Sequence, residues 1–185
     1  MKAKHVRELM VPISDYATVH ENASMAEAIR ALENEKKHYG DAPYRHQSLV
    51  VLNSDHHVVG RLSQVDMMRA FEPGYSKIEE SRWVGRSGLS RKMLADIREQ
   101  FQLWEQPLET MCQMVCKTKV RDHMQAPTEG EFVSEDDTLN IAAHRIVMGR
   151  HHSLLVTRKN VIVGVLRSTD LFNALYDMME SCECF

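Results

Sequence analysis

The chain has 185 residues, a formal charge of −3 and 43% apolar residues, enough for one compact domain or two small interlocked ones around a sizeable core. That charge leaves no general electrostatic footprint for nucleic acid or an acidic membrane. No segment reaches the ~18 apolar residues that a membrane helix needs, and Met1-Lys2-Ala3-Lys4-His5 lacks an apolar signal region, so the expected location is the cytoplasm.

In chain order, Val6-Arg7-Glu8-Leu9-Met10 is followed by a short extended segment over residues 17–19. Ser24 and Glu27 form a capping box for a helix with Met25, Ala28, Ile29 and Leu32 on one face. Residues 37–45 read as a surface loop. Apolar strands at 48–52 and 58–62 are joined by a polar turn at 53–57, and a helix at 65–72 closes the pattern.

The central segment, 73–119, has irregular backbone marked by Gly74, Gly85 and Gly88. Its later part reads as helical. Ser90 caps a face made of Leu94, Ile97, Phe101 and Trp104, and Pro107 starts a helix with Leu108, Met111, Cys112 and Val115 on one side. This segment either covers the core or a dimer interface, or works as a lid that responds to ligand. The Gly85-Arg86-Ser87-Gly88 loop offers backbone N–H groups to a phosphate, although short Gly-Ser loops before helices are common.

The first pattern then returns. Val120-Arg121-Asp122-His123-Met124 answers the opening segment, and Val133 answers Val19 at the same separation. Ser153-Leu154-Leu155-Val156 answers Ser48-Leu49-Val50-Val51 at a shorter separation, so the first copy carries the insertion at 37–45. A helix face of Leu139, Ala142, Ala143 and Ile146, with Thr138 as cap and Gly149 as stop, precedes strands at 153–157 and 161–166 and a helix at 169–179. The unit is β-α-β-β-α, written twice, which predicts an α+β fold. The expected divisions are 1–72, the connecting segment 73–119, 120–180, and a tail at 181–185.

Two stretches carry chemistry: Gly60-Arg61-Leu62-Ser63-Gln64-Val65-Asp66 and Gly164-Val165-Leu166-Arg167-Ser168-Thr169-Asp170. Each passes from an apolar strand into a helix start, where unpaired N–H groups and a positive dipole favour a phosphate. An ionised Asp there is acceptor-only and matches two neighbouring sugar hydroxyls. The same carboxylate also suits a helix N-terminus with no ligand at all. The four cysteines, Cys112, Cys116, Cys182 and Cys184, have no second C-x-x-C or His pair at zinc-finger spacing. They read as free thiols, and no metal site is expected. The ten histidines are scattered, with His56-His57 in a hairpin turn.

The ordered elements, found twice, resemble the tandem CBS domain pair, often called a Bateman module. The matching motifs are V-x-(D/E)-x-M, an apolar strand before a hairpin, and G-h-x-(T/S)-x-x-D, across residues 4–72 and 118–180. The resemblance implies two CBS units packed as a pseudo-symmetric pair, here with a helical insertion between them. It also implies two clefts, each built from both copies. The first cleft then uses Ser63 and Asp66, facing Glu131, Phe132 and Val133 and the strand entrance at His151 and His152. The second uses Ser168 and Asp170, facing Tyr16, Ala17 and Thr18 and the strand entrance at His46 and Gln47. Arg167 departs from the family pattern, standing where Ser or Thr is usual. It either fills the second cleft or offers its donors to a polyphosphate.

The function expected from the resemblance is non-catalytic regulation: AMP, ADP, ATP or a related adenosyl ligand binds, no cofactor is required, and the bound state passes to a protein effector. The alternative is a dimerisation or interaction module with no nucleotide ligand. An enzyme has little support, since no nucleophile elbow or P-loop appears. A homodimer is expected from the apolar residues Met67, Met68 and Phe71 in one closing helix and Leu171, Phe172, Leu175, Met178 and Met179 in the other.

Overall fold

A computed structural model describes residues 4–38, 48–80 and 90–181. The first repeat runs β1 (Val11–Pro12), β2 (Thr18–His20), α1 (Met25–His38), β3 (Ser48–Leu52), β4 (Val58–Ser63) and α2 (Gln64–Phe71). The second runs β5 (Phe132–Ser134), α6 (Leu139–Gly149), β6 (Ser153–Arg158), β7 (Val161–Arg167) and α7 (Ser168–Ser181). Between them lie α3 (Gly74–Glu80), α4 (Arg91–Gln100) and α5 (Leu108–Val115). Among the described residues the strands form two sheets, ordered β2-β3-β4 and β1-β7-β6-β5. In each repeat a crossover helix makes the first pairing parallel, β2 with β3 and β5 with β6, and a hairpin makes the second antiparallel.

Strand periodicity explains how the sheets meet. Leu49 and Val51 of β3 point into the core beneath α1 and α2, while Val50 points the other way. In β6, Leu154 and Val156 enter the core with α6 and α7, while Leu155 faces outward from it. Val50, Leu155, Val165 and Tyr16 then pack together between the two repeats. Both faces of the central strands are buried, so these strands read as continuous apolar runs rather than alternating ones.

The repeats also exchange their opening segments. Val6 is fully buried in the second repeat's core, and its N–H donates to the Asp137 carbonyl at 2.9 Å. Val120 is fully buried in the first repeat's core, and its N–H donates to the Ala23 carbonyl at 3.0 Å. The chain then pairs β1 with β7 at Val11↔Val165, mirrored by a bridge at Arg61↔Gln125. Each buried valine contributes on the order of 1.5–3 kcal/mol, so neither repeat's core is complete alone.

The exchange accounts for the two repeated glycines. A Cβ on Gly60 would lie 2.8 Å from Met124 Sδ and 3.1 Å from the Gln125 carbonyl oxygen. On Gly164 it would lie 2.8 Å from the Val11 carbonyl oxygen and 2.9 Å from Met10 Sδ. Both glycines sit within their strands, not at the ends, and admit the crossing segment of the other repeat.

The helical insertion has a small core of its own, Ile78, Ile97 and Leu103, with Tyr75, Met93 and Phe101 against it. Ser90 caps α4 by accepting from the Met93 N–H at 3.2 Å. The expected face differs in detail: Leu94 is 51% exposed within α4, and Trp104 is 39% exposed because α4 ends at Gln100 and the backbone turns left-handed at Gln102 and Trp104. That turn swings Leu103 inward instead. The buried Glu72 carboxylate holds the return, accepting from the Gly74 N–H at 2.9 Å and the Trp104 N–H at 2.7 Å. Helix α5 packs on α2 through Met111 and Val115, whereas Leu108 and Cys112 are exposed.

Candidate functional site

The N-terminus of α2 is built by a reciprocal cap. The Asp66 N–H donates to Ser63 Oγ at 3.2 Å, while Asp66 Oδ2 accepts from the Ser63 N–H at 2.8 Å and its hydroxyl at 2.6 Å. The other carboxylate oxygen, Oδ1, accepts from Gln125 Nε2 at 3.3 Å, across the boundary between repeats. Asp66 is therefore both a helix-start charge and a buried acceptor at the edge of a cleft.

The cleft encloses about 490 Å³, within the range of small-molecule sites. Ser63, Asp66, Val65 and Met68 line its α2 side, and Gln125, Thr128, Glu131, His151, His152 and Ser153 line the opposite side. Five of the residues expected for the first cleft thus meet at one cavity: Ser63, Asp66, Glu131, His151 and His152. Phe132 and Val133 do not line it, because Phe132 packs between the sheets and Val133 is buried in the second repeat's core.

Arg61, Gln125, Thr128, Arg150 and Ser153 line the cavity without having been expected there, and Arg61 is the most deeply engaged charge among them. Its Nη2 lies 2.6 Å from Glu131 Oε1, and its Nη1 donates to Ser153 Oγ at 2.9 Å and to the Ser153 carbonyl at 3.3 Å. The side chains of Arg61 and Glu131 are 18% and 14% exposed, so breaking this pair costs about 3 kcal/mol. A signal was present: the second repeat has Val165 at the corresponding strand position, where a charge is out of place. Glu131 Oε2 accepts from the Thr128 N–H at 3.2 Å, and His151 Nδ1 lies 3.8 Å from Oε1. The His151 ring covers Gly149, where a Cβ would stand 2.0 Å from Nε2. Arg150, with φ 52° and ψ 38°, then turns the chain from α6 toward β6 and places an exposed guanidinium at the cavity edge.

The second repeat treats its helix start differently. Arg167 and Asp170 form a two-pronged pair, Nε to Oδ2 at 2.7 Å and Nη2 to Oδ1 at 2.5 Å. Both carboxylate oxygens of Asp170 are thus taken and neutralised by a guanidinium, whereas those of Asp66 accept only from uncharged donors. Ser168 begins α7, and its N–H donates to the His152 carbonyl at 2.9 Å. Tyr16 and Ala17 are buried and Thr18 is half-buried. Burial pushes the Tyr16 hydroxyl pKa up, opposed by a hydrogen bond with Ser48 and by the charges of Arg167 and Arg61. His46 and Gln47 lie outside the described residues, as do the Gly85–Gly88 loop, Cys182 and Cys184.

Among the described residues, no group of three or more His, Cys, Asp or Glu is arranged to hold a metal, and no helix is long and apolar enough to cross a membrane. The sequence has no match among curated proteins. Solved structures do share its fold. A hypothetical conserved protein from Geobacillus kaustophilus is similar with a TM-score of 0.60 at 16% identity, over 95% of this chain and 98% of that one. A CBS domain-containing protein of unknown function from Kribbella flavida has a TM-score of 0.59 at 15% identity, over 94% and 98%. CBSX2, solved in complex with AMP, has a TM-score of 0.58 at 15% identity, over 94% and 97%. The CBS domain family model matches twice, at residues 6–73 and 120–177. With two such repeats packed through exchanged opening segments, this chain belongs to the CBS domain family as a tandem pair.

Proposed function

We propose that this CBS pair is a non-catalytic regulatory module that binds one adenine nucleotide, AMP, ADP or ATP, in the cleft at α2. The observation that carries this reading is the cavity itself. It sets the Ser63–Asp66 helix start on one side and exposed Arg150 and His152 on the other, acceptors for sugar hydroxyls beside donors for phosphates. The AMP complex of CBSX2, a protein of similar fold, supports the ligand class. The pair of Arg167 with Asp170 argues for a single competent cleft.

Output passes to a protein effector in the cytoplasm, and the chain self-associates. The observation behind self-association is the apolar surface on α6 and α7, where Val147 is 73%, Met148 71% and Phe172 64% exposed. Of the residues first considered for this surface, Met68, Leu175, Met178 and Met179 are also exposed, whereas Met67 and Leu171 are buried and Phe71 packs against the core. If this surface were the whole function, the chain would be an interaction module and the cleft would stay empty. A thermal-shift panel separates the two readings. A nucleotide at 100 times its Kd stabilises the folded chain by about 2.7 kcal/mol. A melting point unmoved by millimolar adenylates, guanylates and S-adenosylmethionine supports the interaction module instead.

A further inference from the structure

Asp66 is nearly filled before any ligand arrives. A carboxylate has about four lone-pair sites. Oδ2 already accepts from the Ser63 N–H at 2.8 Å and the Ser63 hydroxyl at 2.6 Å, and Oδ1 accepts from Gln125 Nε2 at 3.3 Å. One site is left, on Oδ1, whereas a ribose presents two neighbouring hydroxyls. Seating both requires one of the present donors to leave.

Those donors are not equally held. The Ser63 N–H is backbone at the start of α2 and cannot turn away. The Ser63 hydroxyl makes the shortest of these bonds. Gln125 makes the longest, and the residue is exposed, so its amide passes to water at little cost. Its backbone meanwhile stays in place. The Gln125 N–H donates to the Arg61 carbonyl at 2.8 Å, and its carbonyl accepts from the Arg61 N–H at 3.0 Å. Gln125 is a swinging amide on a fixed pivot.

The other repeat shows the effect of a different donor. The position answering Gln125 is Val11, which pairs with Val165 as Gln125 pairs with Arg61 and has no side-chain donor. Asp170 is taken by Arg167 instead. A guanidinium in a two-pronged ion pair is hard to displace, and a neutral amide with one long bond is not.

We infer that Gln125 is a displaceable stand-in for a ribose hydroxyl. It satisfies the buried Asp66 carboxylate while the cleft is empty and competes with the nucleotide for it. This inference rests on the nucleotide reading above and adds a residue of the opposite repeat that holds the affinity down.

Calorimetric titration of the full chain with AMP and its 2′-deoxy and 3′-deoxy analogues tests it, in the wild type and in Gln125→Met, which keeps the length but cannot donate. A single hydroxyl fits the vacant site with Gln125 still in place, so the wild type should bind all three within about threefold. In Q125M, AMP should bind about three- to tenfold tighter than to the wild type, and the deoxy analogues should stay within about twofold of their wild-type values. The same ratio of AMP to deoxy analogues in both chains overturns the competition and leaves the nucleotide site standing. So does wild-type binding of AMP more than about tenfold tighter than both analogues, since the second hydroxyl then displaces nothing. Absence of AMP binding by the wild type removes both readings. Should Q125M melt below the assay temperature, the wild-type comparison decides alone.

Discussion

Replacing Asp66 and Asp170 one at a time by Ala should produce opposite rankings in stability and in binding. Asp66 accepts three hydrogen bonds, from the Ser63 N–H and hydroxyl and from Gln125. Its loss removes half of a reciprocal cap and a favourable helix-start charge, in all about 1–2 kcal/mol of stability. Asp170→Ala instead takes the carboxylate from Arg167, whose side chain is 19% exposed, at a cost of about 3 kcal/mol. For adenine-nucleotide affinity the order reverses. Losing the Asp66 acceptor should cost on the order of 1.5–3 kcal/mol, roughly ten- to hundredfold in Kd. Asp170→Ala should change Kd by less than about threefold, since that carboxylate already serves the arginine. Urea denaturation reads the first ranking and calorimetric titration the second. Equal losses of affinity, or no loss in Asp66→Ala, would refute the assignment of ligand contact to the first cleft.

Arg167→Ser restores the Ser-x-x-Asp arrangement of the first repeat and releases Asp170, so a second nucleotide per chain is expected by titration; unchanged stoichiometry counts against self-occupation of that cleft. Gly164→Ala brings a Cβ to 2.8 Å from the Val11 carbonyl oxygen, a backbone atom that cannot swing aside. The urea midpoint should drop by the equivalent of about 1–3 kcal/mol with an unchanged slope, and a wild-type midpoint would mean the crossing segment is loosely held. Phe172→Glu, at a 64% exposed position on α7, should convert a dimer to a 21.3 kDa monomer in sedimentation. A wild-type sedimentation profile would place any self-association elsewhere.

Much of this architecture is legible in sequence because it is local. The Ser24–Glu27 and Ser63–Asp66 caps close within one helical turn, and both form. The apolar runs at Leu49, Val50 and Val51 and at Leu154, Leu155 and Val156 announce strands buried on both faces. The exchange of Val6 and Val120 is not local. Each valine satisfies the same pattern whichever repeat it enters, so periodicity is silent about the partner. The role of Gly60 and Gly164 is hidden for the same reason, since the atoms that exclude a Cβ come from the far repeat. The α4 face went astray where the helix stopped at Gln100, which no Gly or Pro announced. Arg167 and Asp170 stand three residues apart at a helix start, a spacing that permits their pairing. Arg61 lay in plain view as a charge where its repeat partner is Val165.

A crystal structure of the wild-type chain grown with saturating AMP bears most directly on whether the cleft is a nucleotide site. The expected result is one nucleotide per chain, with the ribose hydroxyls on Asp66 and the phosphate toward Arg150 and His152. An empty cleft, or AMP seated on Arg167 and Asp170 instead, would contradict it.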